Sequence, residues 1–391
     1  MRPEELQRYS RQIILPGFGT EGQERLRAAR ALVIGAGGLG SPASIYLAAA
    51  GVGTLGMVEF DTVERHNLHR QILHGDAAVG RPKLESAEER LREVNPHVRF
   101  AGHAARLTAE NAGEIIGGYD IVLDGSDNFA TRYLVNDAAA LCRKPLVYGA
   151  IFQFEGQIAL FAPHIAGPCY RCLFPEPPPP GAVPNCAEAG VFGALAGAVG
   201  SLQALLAVRH LAGIGEPPLG QLTRFDGLRW RTTRFTVPKD DNCALCGRKA
   251  SITTLDPARY IPAACAAPPA APADTMTPAK HDEDTPMEIT AEAARGRLAS
   301  AADPPILLDV REPFEVEIGA IDGHRHIPLR QLPEAYETLP RDRPVIAYCH
   351  HGMRSLRAAE FLRSKGLGRA QSLVGGIDRW SLEIDPSVPR Y

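Results

Sequence analysis

The sequence predicts two α/β units, each a mostly parallel sheet with helices on its faces, joined by a linker. Three observations carry this reading. Short apolar runs alternate with Ala-rich or amphipathic stretches over roughly the first 250 residues, the pattern stops from about Ser251 to Pro286, and it resumes over residues 287–391.

In the first unit, residues 31–34 form an apolar strand that runs into glycine punctuation, after which Ser41-Pro42 opens an Ala-rich helix. Residues 54–59 give a second strand, 84–93 an amphipathic helix, and 121–124, 145–148 and 157–161 further strands. Residues 251–286 read as a flexible linker. Ala and Pro dominate 261–278, His281 to Asp284 adds charge without an apolar stripe, and such a segment cannot bury enough surface to offset its ordering entropy. Cys265 lies there as an incidental thiol. In the second unit, 305–310 and 345–348 are strands, and 356–365 is a helix with Gly366 at its C-terminal cap.

Composition narrows the function classes. A chain of 391 residues favours two or three domains. Hydrophobic residues at 45% and charged ones at 22% are those of a globular protein, while 38 glycines and 33 prolines call for many loops. A net charge of −3 offers no general pull toward nucleic acid or anionic lipid. No uninterrupted apolar run reaches membrane-spanning length, and Met1-Arg2-Pro3-Glu4-Glu5 lacks a signal-peptide core. We therefore expect a cytoplasmic protein that binds neither nucleic acid nor membrane. In that reducing setting the eight cysteines read as metal-binding or catalytic rather than disulfide-bonded.

Gly35-Ala36-Gly37-Gly38-Leu39-Gly40 follows a strand and opens a helix, the context in which glycines let a backbone approach a phosphate at a helix N-terminus. Glu59, nineteen residues after Gly40, ends the next strand and is placed to accept from ribose hydroxyls. To this point an NAD-dependent oxidoreductase fits equally well. Asn67-Leu68-His69-Arg70, Lys83 and Asp127-Asn128 then add two cations and an acid near a strand-end crevice, the complement of a triphosphate and its metal. Taken singly, Arg70 and Lys83 also read as surface charges, and Asp127 as a helix cap.

Arg8 to Gly17, the GAGGLG loop, Phe60-Asp61-Thr62-Val63, Asn67 to Gln71, Gly80-Arg81-Pro82-Lys83 and Asp124 to Asn128 occur in that order. Over roughly residues 1–249 this closely resembles the MoeB/ThiF-type relatives of ubiquitin-activating enzymes. The resemblance implies a Rossmann-like ATP-binding domain that adenylates the C-terminal Gly-Gly carboxylate of a small ubiquitin-like protein. It implies ATP or magnesium contacts from Gly38, Glu59, the segment His66, Asn67, Leu68, His69 and Arg70, and Lys83, Asp127 and Asn128. Glu59 stands where aspartate is more usual. Arg11 is implied to reach into the site of a second copy, hence a homodimer.

Cys169-Tyr170-Arg171-Cys172 and Cys243-Ala244-Leu245-Cys246 are two CxxC pairs, enough for a closed tetrahedral four-thiolate zinc shell with a structural role. Cys186 follows a Pro-rich run at 177–180 and precedes a small-residue helix. It reads either as a packed cysteine or, as the resemblance implies for sulfur-transferring members, as a functional thiol. Cys142 reads as core.

In the second unit, Cys349-His350-His351-Gly352-Met353-Arg354-Ser355 joins a strand to a helix. Such a turn presents N–H groups to a thiolate or persulfide, and Arg354 adds a cation. A phosphatase loop needs its arginine where Ser355 stands, so that reading fails. With Asp309-Val310-Arg311-Glu312 before it and Val374 to Trp380 after it, the unit resembles a rhodanese domain over about 287–391. Rhodaneses carry sulfur as a persulfide on the loop cysteine. Asp309 and Trp380 read as structural. The fusion then reads as an adenylyltransferase and sulfurtransferase: the first unit activates a carrier's carboxylate, a Cys349 persulfide fed by thiosulfate or another persulfide donor attacks it, and Cys186 releases a thiocarboxylate. An adenylating enzyme of the tRNA-modifying dehydratase branch, an NAD-dependent oxidoreductase and a non-catalytic carrier scaffold are the alternatives.

Overall fold

Apolar runs buried on both faces need helices above and below them, and this requirement shapes both halves of the molecule. The computed structural model describes residues 1–178, 190–260, 285–299 and 304–390, in two units, Met1–Pro269 and Ala270–Tyr391. Cys186, Cys265 and residues 261–284 of the expected linker lie outside the described residues.

The first unit is built on eight strands: β1 (Arg30–Ile34), β2 (Thr54–Val58), β3 (Arg99–His103), β4 (Ile121–Asp124), β5 (Leu146–Phe152), β6 (Glu155–Phe161), β7 (Gln221–Asp226) and β8 (Arg231–Thr236). Their spatial order is β3-β2-β1-β4-β5-β6-β7-β8. Pairing is parallel from β3 through β5 and antiparallel from β5 through β8. The expected mostly parallel sheet thus holds for five strands, and the rest form an antiparallel extension. β3, β7 and β8 have no counterpart in the sequence reading. β8 is exposed along nearly its whole length, so it carries no alternating apolar pattern to read.

The Gly40–Ala50 helix ends at Gly51, in the left-handed region at φ +82°. An added Cβ there would lie 2.6 Å from the Tyr9 ring, so both conformation and space demand glycine. The Gly193–Ala212 helix packs against Gly40–Ala50 and β5. It has the length and apolar composition to cross a membrane. Its buried Gln203 instead donates through Nε2 to the carbonyls of Asp124 (2.7 Å) and Val147 (3.2 Å), as a core helix does.

Residues 251–260 are not linker. Ser251 and Ile252 both donate through their backbone N–H to the Ala244 carbonyl, Ile252 and Tyr260 are buried, and the Tyr260 hydroxyl donates to Asp137 Oδ2 at 2.8 Å. Two buried apolar side chains suffice to pin this stretch to its domain.

The second unit is a five-stranded parallel sheet of β9 (Glu288–Ile289), β10 (Ile306–Asp309), β11 (Arg325–His326), β12 (Val345–Tyr348) and β13 (Ala370–Leu373). The order is β11-β10-β12-β13-β9. The Met353–Ser364 helix follows β12 and ends before Gly366 at φ +92°, the capping position expected. Trp380 is buried in the core. Asp309 and Arg311 are fully buried together, with Arg311 Nη2 at 2.6 Å from Asp309 Oδ2.

Candidate active sites

Strand order reverses between β1 and β4, and in open α/β sheets the ligand crevice lies at the carboxyl ends of the strands flanking such a point. The two turns meet there. Gly125 N donates to the Ile34 carbonyl at 3.0 Å, and a Cβ on Gly125 would stand 2.7 Å from that oxygen. Gly40 is equally constrained, since its Cβ would sit 1.8 Å from the Gly35 carbonyl oxygen.

Glu59 is buried at the end of β2. Its Oε2 accepts from Ala36 N at 2.9 Å, and Oε1 from Phe60 N at 2.8 Å and Asp61 N at 3.0 Å. The carboxylate therefore ties the glycine loop to β2, a role the extra methylene over aspartate permits. Lys83 opens the Lys83–Val94 helix and is buried. Its Nζ lies 3.4 Å from Asp61 Oδ2 and 4.0 Å from Glu59 Oε2. Asn67 is buried and accepts from Arg70 Nη2 at 2.9 Å. Arg70 also meets His69 Nε2 at 2.8 Å, and its stem lies 3.5 Å from where a Gly38 Cβ would be. His66 is exposed and Leu68 half-buried beside them. Partial burial pulls the His69 imidazole below its usual range.

Asp127 and Asn128 are exposed beyond β4. Asn128, not Asp127, caps the Phe129–Leu141 helix, its Oδ1 accepting from Thr131 N at 2.9 Å. The Asp127 carboxylate does not cap the helix; its Oδ1 accepts from Asn128 Nδ2 at 3.4 Å. Arg11 is exposed in the last turn of the Pro3–Ile13 helix. That helix packs at the amino-terminal ends of the strands: Gln12 donates to the Ala50 carbonyl at 3.1 Å. Arg11 is therefore not brought together with the crevice residues of its own chain.

Sequence reasoning passed over three residues here. Buried His74 reaches the Ala36 carbonyl (3.3 Å) and Ser86 Oγ (3.0 Å), and burial lowers its pKa. Arg132 and Gln203 brace the β4 turn from below. Arg132 lies one helical turn past Asn128, a spacing that could have drawn notice.

The four cysteines of the CxxC pairs place their Sγ atoms within 4.8 Å of one another. Cys169 to Cys243 is 3.6 Å and Cys172 to Cys246 is 3.4 Å. Zn–S bonds of about 2.3 Å in a tetrahedron need sulfurs roughly 3.8 Å apart, so this all-thiol set fits zinc. The knuckle is anchored to the Phe129–Leu141 helix by a two-pronged Arg171–Asp137 pair, both bonds 2.8 Å, and by Asn136 accepting from Tyr170 N at 2.8 Å.

In the second unit Cys349 is buried at the end of β12. Gly352 N donates to its Sγ at 3.1 Å, and Ser355 Oγ lies 3.6 Å away. Gly352 adopts φ +101°, and a Cβ on Gly376 would fall 2.2 Å from the Cys349 carbonyl oxygen; the loop closes around glycine alone. His350 and His351 stack at 3.9 Å, and burial pushes the His350 imidazole down to about 4. Met353 is exposed. The expectation that Arg354 supplies the loop's cation needs correction. Its guanidinium forks onto buried Glu315, at 2.6 and 2.7 Å, so its charge is already balanced within the scaffold.

A strand-end nucleotide crevice and a thiol cradled at a helix start, carried on one chain, mark a two-part enzyme that activates with a nucleotide and transfers sulfur. The chain belongs to the ThiF family, whose profile matches residues 9–245, and its residues 290–383 match a rhodanese-like domain. It is 44% identical, over 99% of its own length and 96% of the relative's, to a probable adenylyltransferase/sulfurtransferase, MoeZ, of Mycobacterium tuberculosis. A sulfur carrier protein adenylyltransferase of Thermus thermophilus is 57% identical over 62% of this chain and 92% of the relative. Crystal structures of Escherichia coli MccB share the fold at a TM-score of 0.56 and 20% identity, over 62% of this chain and 75% of that one.

Proposed function

We propose that this enzyme adenylates the C-terminal carboxylate of a ubiquitin-like sulfur carrier ending in Gly-Gly and then converts it to a thiocarboxylate. The observation that carries this reading is the presence, on one chain, of a triphosphate-suited crevice and a backbone-cradled cysteine. The carrier's carboxylate oxygen attacks the α-phosphorus of Mg-ATP and pyrophosphate leaves. Lys83 and Arg70 offset charge on the phosphates while Asp127 holds the magnesium that arrives with the nucleotide. Gly38 lets the backbone approach, Asn67 and Asn128 position neighbouring groups, and Glu59 holds the loop while keeping Oε2 lone-pair capacity toward the ribose.

The terminal sulfur of a Cys349 persulfide then attacks the acyl carbon, expelling AMP and forming an acyl disulfide. Attack by the Cys186 thiolate on the Cys349 sulfur releases the thiocarboxylate, and a dithiol reductant resets the Cys186–Cys349 disulfide. Gly352 N–H and the Ser355 hydroxyl stabilise the sulfur anion on Cys349. Cys169, Cys172, Cys243 and Cys246 would hold a zinc ion, and with four thiolates occupying it the ion would play a structural rather than a catalytic part. The placement of Arg11 at the far end of its own sheet supports a homodimer in which it serves the neighbouring copy. Free thiols at Cys142 and Cys349 suit a reducing, cytoplasmic setting.

The test is the intact mass of a Gly-Gly-ended carrier incubated with the enzyme, Mg-ATP and thiosulfate. A mass gain equal to exchanging one oxygen for sulfur is the expected result. An unchanged carrier with no carrier-dependent pyrophosphate exchange refutes the reading.

A further inference from the structure

Asp127 stands exposed on a turn, and its place is set by the residues on either side. Asn128 is fixed as a helix cap. Ser126 is held at three atoms: Asp124 Oδ1 accepts from its N (2.9 Å) and its Oγ (2.6 Å), and Arg132 Nη2 donates to its carbonyl at 3.2 Å. Behind this turn Asp124 is fully buried and Arg132 nearly so. They face each other with Arg132 Nε 3.6 Å from Asp124 Oδ2, and neither atom has a hydrogen-bond partner. The guanidinium lies under the Phe129 and Tyr148 rings, 5.6 and 5.4 Å from their centroids.

A buried ion pair of this kind contributes little to stability, since well-packed apolar residues of similar volume do as well or better. Beneath the Ser126 turn the pair serves a purpose other than stability. Asp124 meets Ser126 from one side and Arg132 from the other. Either contact alone leaves the turn a pivot; together they fix the direction in which the next residue, Asp127, projects.

We infer that Asp124 and Arg132 are positioning residues that brace Ser126 and aim Asp127 at the magnesium of Mg-ATP. This rests on the reading of Asp127 given above. Neither residue touches the nucleotide. The brace acts on the metal-dependent part of nucleotide binding and leaves the rest alone. Supporting residues of this kind change metal affinity by roughly 10–100-fold.

The experiment is calorimetric titration of the full-length protein with ATP, once with excess magnesium and once in EDTA. Arg132→Lys keeps the buried charge but loses the fork that joins Asp124 to the Ser126 carbonyl. The Asp124→Asn/Arg132→Gln double variant removes both charges and leaves no uncompensated ion. In each, the tightening of ATP binding by magnesium is expected to fall about tenfold, with ATP affinity in EDTA and zinc content unchanged. Asp127→Ala serves as the reference and must lose the same increment. If Asp127→Ala keeps it, the assignment of Asp127 fails. If Asp127→Ala loses it while both brace variants keep it, the brace is refuted. If neither brace variant binds ATP in EDTA, the pair holds the fold rather than aims the carboxylate, and the inference is overturned.

Discussion

Replacing Lys83 by methionine tests the nucleotide crevice most directly. The side chain is buried, with Nζ 3.4 Å from Asp61 and 4.0 Å from Glu59. Its removal leaves no stranded buried charge. Glu59 keeps its three backbone N–H donors, and the Asp61 side chain is 54% exposed, so water takes over. The methionine stem fills most of the lysine's volume, and the fold survives. At the effective dielectric of about 20 that describes protein sites, a unit charge 4 Å from a phosphate oxygen contributes about 4 kcal/mol. Deleting one preorganised donor from a charged transition state costs about 2.7–4 kcal/mol, or roughly 10²–10³ in rate. The two figures agree, and we expect carrier-dependent ATP–pyrophosphate exchange to fall by roughly that factor. Thiosulfate–cyanide sulfur transfer, a reaction of the second unit, stays at the wild-type rate in the same preparation. Exchange within threefold of wild type would refute the assignment of Lys83, and with it the location of the phosphates.

Cys349→Ser should invert that phenotype, preserving pyrophosphate exchange and abolishing both thiosulfate–cyanide transfer and thiocarboxylate formation; thiocarboxylate made by this variant would place the persulfide elsewhere. His350, held near 4 by burial, stays neutral in the folded unit while the unfolded chain takes up a proton near 6.5. The unfolded state binds more protons between those values, so stability is full above about 6.5, declines as pH drops toward 4, and declines no further below it. Allowing for the side chain's partial exposure, we expect about 1–2 kcal/mol lost in that window. Urea denaturation followed by sulfurtransferase activity should show this slope, and His350→Gln should flatten it. Asp309→Leu strands the buried Arg311 charge and should cost about 3–5 kcal/mol, whereas Asp309→Leu with Arg311→Met should recover most of it in the same urea assay.

The sequence exposes those parts of the fold whose cause is local. The β1 apolar run, the glycines that turn out of it, Gly366 at a helix end and the two CxxC spacings each announce themselves within a few residues. Glu59 could be named from its spacing after the glycine loop, and Arg70 and Lys83 from the resemblance of their motif blocks to the MoeB/ThiF family, but what they touch could not be read from sequence. Arg354 shows why. Beside Cys349 in sequence it reads as a cation for sulfur, yet Glu315, thirty-nine residues earlier, reaches it first. Asp127 and Asn128 are both candidates for one helix cap, and the bond from Thr131 N to Asn128 Oδ1 decides between them. β8 stayed hidden because it is exposed along nearly its whole length and carries no apolar alternation to read. Arg132 and Gln203 act through contacts that exist only once the Phe129–Leu141 and Gly193–Ala212 helices have docked.

The four-cysteine knuckle has a topological consequence. Its two halves lie 74 residues apart along the chain, and everything between them, including the Gly193–Ala212 helix, belongs to a closed loop once an ion is bound. Closing a loop of that size removes several kcal/mol of unfolded-state entropy, growing only slowly with length. A single peptide-bond cut between Pro178 and Gly190 would then open the ring without dividing the molecule. Both fragments would keep two thiolates on the same ion, and they would part only when a chelator and a denaturant act together. Because that closure entropy grows only slowly with loop length, insertions into the interval between the two cysteine pairs are thermodynamically cheap.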